Sequence, residues 1–231
     1  MEHKILGIIP ARGGSKGIPK KNIIPIAGKP LLVWTIEAAK KSRIIDRIVV
    51  SSDSDEILSV AKSHGVIGLK RPADLATDDA PPEKTVLHAV RECRSQKYVS
   101  DFIVYLQPTS PLRTAEHINR AFELLRNKNA NALISVSQAD SKFLKAFFLT
   151  KNGYLKSISK RAFPFMNRQE LPAVYLPNGA IYILRTRDFL KYRKFWIKNT
   201  LPFIMSPEES IDLDTLEDIP LVEGYLLRKG R

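Results

Sequence analysis

The sequence predicts an α/β fold: one three-layer domain with a mixed, mostly parallel sheet. Short apolar runs alternate with helical patterns along most of the chain, as in repeated strand–helix–strand units. The first apolar run, Ile5 to Ile9, ends in a glycine-rich loop, which is where α/β domains bind ligands. With 231 residues, of which 44% are hydrophobic, the chain can bury one substantial core.

The first half of the chain repeats strand and helix. Pro30 suits the first turn of a helix, and apolar residues then recur at helical spacing. β-branched runs that end in polar residues predict strands, and Gly65 ends the second helix. In order, we expect a helix over 31–39, a strand over 47–53, a helix over 55–64, a short strand over 66–69 and a helix over 83–95.

The second half is less regular. Thr114 suits an N-cap and Glu116 lies in the first turn that follows it, so a helix is expected to reach Arg126. Apolar runs bounded by turn residues predict the strands, and alternating short runs between 138 and 176 predict β-hairpins. We expect strands over 101–106, 131–136 and 178–184, hairpin strands over 146–149 and 154–158, and a last helix over 216–228.

The loop after the first strand, residues 10–22, combines glycines with cations. Gly13, Gly14 and Gly17 let a ligand approach the main chain closely. Arg12, Lys16, Lys20 and Lys21 supply charged donors, and successive loop N–H groups can form a nest for an anion. A polyphosphate is therefore the expected guest, and a solvated basic turn is the alternative.

Two common phosphate-binding motifs are excluded. A P-loop needs Gly-Lys followed by Ser or Thr, and here Gly28-Lys29 is followed by Pro30. The dinucleotide fingerprint G-x-G-x-x-G is also absent from the sequence.

Asp212 and Asp214 form a second candidate centre. On an extended segment, residues two apart point to one face, so both carboxylates converge. Converging carboxylates repel each other unless a cation joins them, and oxygen ligands suit Mg²⁺. The alternative makes Asp214 the N-cap of a last helix over 216–228 and leaves Asp212 solvated.

Four segments together resemble the acylneuraminate cytidylyltransferases, the CMP-sialic acid synthetases. The segments appear in that family's order and span nearly the whole chain. They are Ile9-Pro10-Ala11-Arg12-Gly13-Gly14-Ser15-Lys16-Gly17 with Pro19-Lys20-Lys21-Asn22, Leu106-Gln107-Pro108-Thr109-Ser110-Pro111-Leu112-Arg113, Asn178-Gly179-Ala180-Ile181-Tyr182-Ile183, and Ser210-Ile211-Asp212-Leu213-Asp214-Thr215.

The resemblance implies a Rossmann-like nucleotidyltransferase domain that transfers CMP from CTP to the anomeric hydroxyl of a nonulosonic acid and releases pyrophosphate. It implies Mg²⁺ on Asp212 and Asp214, and catalytic roles for Arg12, Lys21 and Asp214. Relatives carry Ser or Thr near the entrance of the helix over 83–95, where this chain has Ala80-Pro81-Pro82. The implied nucleotide-binding residues are Ala11, Arg12, Gly13, Gly14, Ser15, Lys16, Lys21, Asn22 and Arg71.

The resemblance also implies a sugar side and a partner subunit. Residues 138–176 match the family's dimerisation insertion, which reaches across a homodimer to help complete the sugar pocket of the other subunit. Trp196 stands where relatives have a smaller aromatic, so it is where we expect substrate choice to differ. The implied sugar-binding residues are Gln107, Lys145, Arg168, Tyr182, Phe195 and Trp196.

Composition leaves few other classes open. Lys and Arg outnumber Asp and Glu by 37 to 24, giving a net charge of +13, which suits anionic substrates. A basic nucleic-acid-binding module is the alternative from another class, although no interleaved aromatic–basic platform supports it. One cysteine, Cys93, excludes an intramolecular disulfide framework. Without a long apolar stretch, we expect a cytoplasmic protein that does not insert into membranes and binds no nucleic acid.

Within the enzyme class, the acceptor stays open. Legionaminic or pseudaminic acid would undergo the same chemistry as N-acetylneuraminic acid. The aromatic pair at Phe195-Trp196 and the hairpin insertion are where such enzymes are expected to differ.

Overall fold

The computed structural model describes residues 3–15, 17–77 and 79–228. A seven-stranded sheet forms its centre, in the order β11-β7-β10-β6-β1-β4-β5. Two small hairpins, β2-β3 and β8-β9, lie outside this sheet. The strands are β1 (Ile5–Pro10), β2 (Pro25–Ile26), β3 (Lys29–Pro30), β4 (Arg47–Ser52), β5 (Ile67–Lys70), β6 (Phe102–Tyr105), β7 (Ala132–Ala139), β8 (Phe147–Leu149), β9 (Leu155–Ser157), β10 (Val174–Arg185) and β11 (Thr200–Met205).

The predicted mixed, mostly parallel sheet is confirmed. β1 pairs in parallel with β4 and β6, β4 pairs in parallel with β5, and β11 pairs in parallel with β7. β10 is antiparallel to both of its neighbours, β6 and β7. The loops that follow β1, β4, β5 and β6 therefore meet at one edge of the sheet, which is where α/β folds bind ligands.

Helices cover both faces, as the three-layer prediction requires. Apolar side chains of α1, α2 and α4 join one core cluster, and those of α3 and α5 join a second cluster on the other face. In the described part of the chain, no helix is both long and apolar enough to cross a bilayer. The helices are α1 (Leu31–Lys41), α2 (Asp55–Ser63), α3 (Pro82–Ser95), α4 (Ala115–Asn127), α5 (Thr186–Tyr192) and α6 (Asp218–Arg228).

The structure departs from the predicted elements mainly near the C-terminus. α5 and β11 were not predicted, because densely mixed cations and aromatics hide both the helical and the alternating period. The last helix begins at Asp218 rather than at 216. β10 begins at Val174 and is broken by a register shift between Pro177 and Tyr182, so the pattern over 178–184 shows only its second half.

The segment 138–176 forms the predicted hairpin, since β8 and β9 pair in antiparallel. Both of its ends belong to the main sheet, because β7 continues to Ala139 and β10 starts at Val174. Its large apolar side chains are unusually open: Phe165 is 88% exposed, and Leu149 and Tyr154 are each 74% exposed. Its role in dimerisation stays a prediction.

A buried polar network around Asn178 holds the irregular part of β10. The Asn178 carboxamide oxygen accepts from the Ser135 hydroxyl at 2.6 Å and from the Ala180 N–H at 3.2 Å. Its amide nitrogen donates to the Ser210 hydroxyl at 2.8 Å, and its carbonyl accepts from the Ser110 hydroxyl at 3.1 Å. Through its side chain and its backbone carbonyl, Asn178 thus joins β7, β10, the loop after β6 and the segment that leads to Asp212.

Replacing Asn178 with Ala is expected to lower the free energy of unfolding by about 2 to 3 kcal/mol, because the buried hydroxyl and amide partners lose their hydrogen bonds. Urea unfolding followed by circular dichroism measures this change. Asn152→Ala, in an exposed turn, is the control and should be neutral. Equal stability of the two variants would contradict the structural role of the network.

Candidate active site

A cleft of about 300 Å³ opens at the carboxyl edge of the parallel strands. It collects side chains from the loops after β1, β5 and β6, from the first turns of α3 and from the segment before α6. Its lining residues are Pro10, Arg12, Gly14, Ser15, Lys21, Asn22, Arg71, Leu75, Thr77, Ala80, Pro82, Thr85, Tyr105, Gln107, Pro108, Thr109, Asp212 and Asp214. The two centres expected from the sequence therefore share one cavity.

The loop after β1 is held by its own backbone and by the end of β4. The Ala11 N–H donates to the Ser51 carbonyl at 3.0 Å, and the Gly13 N–H donates to the Asp53 carboxylate at 2.8 Å. The Asn22 amide donates to the Arg12 carbonyl at 2.9 Å, which closes the loop. The Asp53 contact was not predicted, although the position of Asp53 directly after a strand was the available signal.

Lys21 links the loop after β1 to the acidic segment 212–214. Its ammonium group donates to the Asp214 carboxylate at 3.0 Å and to the Leu213 carbonyl at 3.1 Å. The Lys21 side chain is mostly buried, whereas Asp214 is largely exposed. A cation and a carboxylate therefore face each other at the opening of the cleft.

In the segment 212–214, the Leu213 side chain is fully buried, whereas Asp212 is half-buried and Asp214 is exposed. The Leu213 N–H donates to the Thr109 carbonyl at 2.8 Å, which fixes the two flanking carboxylates next to the loop after β6. Burial raises the pKa of Asp212, and a hydrogen bond with Thr109 opposes that rise. A raised pKa means that ionised Asp212 costs stability as the pH rises through that value.

The capping alternative for Asp214 is wrong. α6 begins four residues later, at Asp218, whose carboxylate accepts from the N–H groups of Asp214 at 3.0 Å and Thr215 at 2.7 Å. These backbone hydrogen bonds lower the pKa of Asp218. The carboxylate of Asp214 is thereby left to face Lys21.

The carboxylate pair fits a magnesium ion that is shared with a ligand. Asp212 Oδ1 is buried and has no hydrogen-bond partner within residues 3–15, 17–77 and 79–228. Over the same residues, no group of three or more His, Cys, Asp or Glu side chains could hold a metal by itself. Mg²⁺ is usually bound by one or two carboxylates with phosphates and water completing the shell, so two aspartates are the expected number.

Arg71 is buried beside the cleft and is held by protein atoms. Its guanidinium donates to the Ser51 carbonyl at 2.6 Å, to the Ser51 hydroxyl at 3.1 Å and to the Leu75 carbonyl at 3.4 Å. Burial lowers the pKa of Arg71. Arg71 lines the cleft, and its contact with a nucleotide stays a prediction.

Arg113 holds the loop after β6 in place through hydrogen bonds. The buried guanidinium donates to the carbonyls of Gln107 at 3.1 Å and Ala180 at 3.0 Å, and to the Thr35 hydroxyl at 2.6 Å. Burial lowers the pKa of Arg113 to about 9. Gly179, with φ of 76°, leaves the space that the Gln107 carboxamide occupies. Gln107 lines the cleft from this position.

The predicted aromatic residues separate in the structure. Tyr182 and Phe195 pack with Tyr105, with ring centroids 5.0 to 5.8 Å apart. Burial raises the pKa of both tyrosines. Trp196 instead is 76% exposed. The aromatic pair that the sequence places together thus presents one ring to the core and one to the surface.

Of the predicted sugar-binding residues, Gln107 lines the described cleft, whereas Lys145, Arg168, Tyr182, Phe195 and Trp196 do not. Lys145 ends a 3₁₀ turn in the hairpin segment, and the Arg168 guanidinium lies 3.3 Å from the Asp140 carboxylate. Both are described residues, and neither lines the cleft. Lys16 falls outside the described residues.

The sequence profile described as cytidylyltransferase matches residues 6–225. The profile covers nearly the whole chain, including all of the residues that line the cleft. The chain belongs to the cytidylyltransferase family.

Three curated relatives are named for three different sugar acids. The N-acylneuraminate cytidylyltransferase of Escherichia coli O18:K1:H7 is 34% identical over 238 residues, covering 100% of this chain and 54% of that protein. A CMP-N,N'-diacetyllegionaminic acid synthase of Legionella pneumophila is 36% identical, covering 96% of both chains. The pseudaminic acid cytidylyltransferase of Campylobacter jejuni is 32% identical, covering 94% of this chain and 93% of that protein. The chain spans about half the length of the N-acylneuraminate enzymes that it matches.

Two solved structures share the fold. One is a CMP:2-keto-3-deoxy-manno-octonic acid synthetase in complex with CTP, with a TM-score of 0.73 at 15% identity over 98% of this chain and 99% of that one. The other is the 4-diphosphocytidyl-2C-methyl-D-erythritol synthase of Anaerococcus prevotii, with a TM-score of 0.69 at 15% identity over 99% of this chain and 100% of that one. Both matches confirm the predicted α/β architecture.

Replacing Gly17 with Ala is expected to slow pyrophosphate release about 10- to 100-fold without unfolding the chain. The new methyl group would lie 2.7 Å from the Asp214 carbonyl and would displace the acidic segment. Steady-state release assays measure the effect. Gly224→Ala, in α6 with no atom within 4 Å of the added carbon, is the control. Equal rates for both variants would show that the approach of Gly17 to Asp214 is unimportant.

Proposed function

We propose that the chain transfers CMP from CTP to the anomeric hydroxyl of a nonulosonic acid and releases pyrophosphate. The observation that carries this proposal is the meeting of the cationic loop with the acidic pair in one cleft, at the 3.0 Å contact of Lys21 with Asp214. Cations suit the triphosphate, and carboxylates suit the metal that accompanies it. The membership of the cytidylyltransferase family supports CTP as the donor.

The loop after β1, residues 10–22, supplies most of the electrostatic stabilisation of the phosphates. Phosphoryl and nucleotidyl transfer depends mainly on positioning and on charges placed where negative charge develops. Arg12 and Lys21 hold the phosphates and offset charge on the departing pyrophosphate. Ala11, Gly13, Gly14, Ser15 and Asn22 contribute the backbone and side-chain donors of the loop, and Lys16 belongs to the same set.

Mg²⁺ is the proposed cofactor, with Asp212 and Asp214 as its protein ligands. When bound, it supplies Lewis-acid stabilisation of the phosphate oxygens and lowers the pKa of a coordinated hydroxyl. The buried, unpartnered oxygen of Asp212 supports this assignment. Lys21, which donates to Asp214, keeps that carboxylate oriented toward the phosphates.

The sugar acid is proposed to lie beside Gln107, Tyr182 and the aromatic pair at 195–196. Gln107 lines the cleft next to Thr109 and Asp212, so an acceptor that contacts its carboxamide would lie near the carboxylates. A sugar carboxylate needs a cation or amide partner, and Arg168 and Lys145 are the proposed cations. Since neither lines the cleft of its own chain, a partner subunit would have to bring them there.

A homodimer joined through residues 138–176 is therefore part of the proposal. The apolar side chains that this segment exposes, with Phe165 as the extreme case, are expensive to leave in water. A second copy of the chain would cover them and would place Arg168 of the partner subunit near the cleft.

Three acceptors compete under the same chemistry: N-acetylneuraminic, legionaminic and pseudaminic acid. The relatives named for these acids are 34%, 36% and 32% identical to this chain. Exposed Trp196 is the side chain that would shape the N-acyl end of the pocket differently from a smaller aromatic ring.

Purified protein with Mg²⁺ is expected to release pyrophosphate from CTP, and from none of ATP, GTP or UTP, when one of these acids is present. Arg12→Ala should lower the rate by about 10²- to 10³-fold, because a cation on the developing charge is lost. An enzyme-coupled pyrophosphate assay, run with each acid in turn, measures both. An unaltered rate for Arg12→Ala, or release with every nucleotide, would contradict the proposal. The acid that gives the highest kcat/KM identifies the acceptor.

Mixed dimers test whether the two subunits share each site. Arg12→Ala and Arg168→Ala are each expected to be nearly inactive as homodimers. Co-expression of both chains should restore about one quarter of the wild-type activity, because half of the dimers are mixed and each has one intact site. Light scattering gives the oligomeric state. A monomer, or mixed dimers without restored activity, would show that each site is built from one chain.

A further inference from the structure

The cleft wall between β5 and the start of α3 offers few polar side chains to a nucleobase. Ala80 and Pro82 line it, and neither side chain has a hydrogen-bond donor or acceptor. Pro82 also lacks a backbone N–H at the first position of α3. A pyrimidine edge that is buried here without partners would lose its hydrogen bonds with water. Some other group must therefore satisfy it.

Thr85, the fourth residue of α3, is placed to do so. It lines the cleft and is only 3% exposed. A helical threonine often donates to the carbonyl four residues earlier, which here belongs to Pro81. That carbonyl instead accepts from the Lys84 N–H at 3.0 Å. Within the described part of the chain, the Thr85 hydroxyl has no hydrogen-bond partner.

Among the neighbouring polar side chains in this wall, Thr77 is exposed and two others are already engaged. The Arg71 guanidinium donates to Ser51 and Leu75 as described above. The hydroxyl of Tyr105 is hydrogen-bonded with the Gln107 side chain. Because the Thr85 side chain is buried but lines the cleft, the open hydrogen-bonding capacity of its hydroxyl is available to a ligand that fills the cleft.

We propose that the Thr85 hydroxyl hydrogen-bonds the pyrimidine ring of the bound nucleotide. This inference rests on the proposed function and adds a base-recognition residue that the four sequence motifs do not contain. A hydroxyl rotates and can donate to a ring nitrogen or carbonyl or accept from an exocyclic amine. Its loss therefore weakens nucleotide binding and leaves phosphate binding unchanged.

Thr85→Val is the central test, because it removes the hydroxyl and keeps the side-chain shape. Titration calorimetry with Mg²⁺ should show about 3- to 10-fold weaker CTP binding, the loss expected for one hydrogen bond. Thr85→Ser should bind CTP within about twofold of the wild type, because the hydroxyl is kept. Inorganic tripolyphosphate, which lacks the nucleoside, should bind all three proteins equally.

Thr186→Val is the matched control, since Thr186 is equally buried in a helix and pairs with Ser100 outside the cleft. It should leave CTP affinity unchanged. If Thr85→Val does not fold, Thr85→Ala is measured in the same way.

Unchanged CTP affinity in a folded variant without the hydroxyl overturns the inference. An equal loss for tripolyphosphate also overturns it, because the damage would then lie at the phosphates. If the wild type binds CTP and the variant binds it more weakly, but no sugar acid supports turnover, the role of Thr85 stands and the proposed acceptor fails. A wild type that does not bind CTP overturns both.

Discussion

The contact between Lys21 and Asp214 joins residues that are 193 positions apart in the chain. It closes the cleft on the side where the cationic loop meets the acidic segment. The close approach of Gly17 to the Asp214 carbonyl belongs to the same junction, because any larger residue at 17 would separate the two segments. Charge complementarity at this point makes the cleft suitable for a ligand that carries both phosphates and a metal ion.

The rigidity of the cleft comes from buried polar groups that lie beneath it. Arg113 holds the carbonyl of Gln107, and Asn178 ties Ser110 to Ser210. Burying a guanidinium lowers its pKa and costs solvation energy, so Arg113 stabilises the fold less than an apolar residue of similar size would. These hydrogen bonds fix the loop after β6 and the segment at Ser210. Groups that are already fixed lower the entropy cost of organising a transition state.

Much of the fold followed from local pattern. The strands of the first half and the helices between them were predicted because each is short, strongly periodic and bounded by turn residues. α5 and β11 were not predicted, since cations and aromatics between 186 and 205 follow neither period. The sequence also suggested capping for Asp214 as one alternative, and only the start of α6 at Asp218 excluded it. Thr85 and Asp53 belong to no motif, so proximity in space was needed to connect them with the cleft.

The sequence by itself determined the chemical types and their order: a glycine-rich cationic loop after the first strand, an amide and a guanidinium after a later strand, and two aspartates near the end. Local patterns could do this because turns, strands and charges depend on near neighbours along the chain. The tertiary structure decided which of these groups share one cavity, that Phe195 packs against the core while Trp196 is exposed, and that Lys145 and Arg168 lie outside the cleft of their own chain. Such relations depend on sheet order and on packing between distant segments, which short-range patterns do not encode.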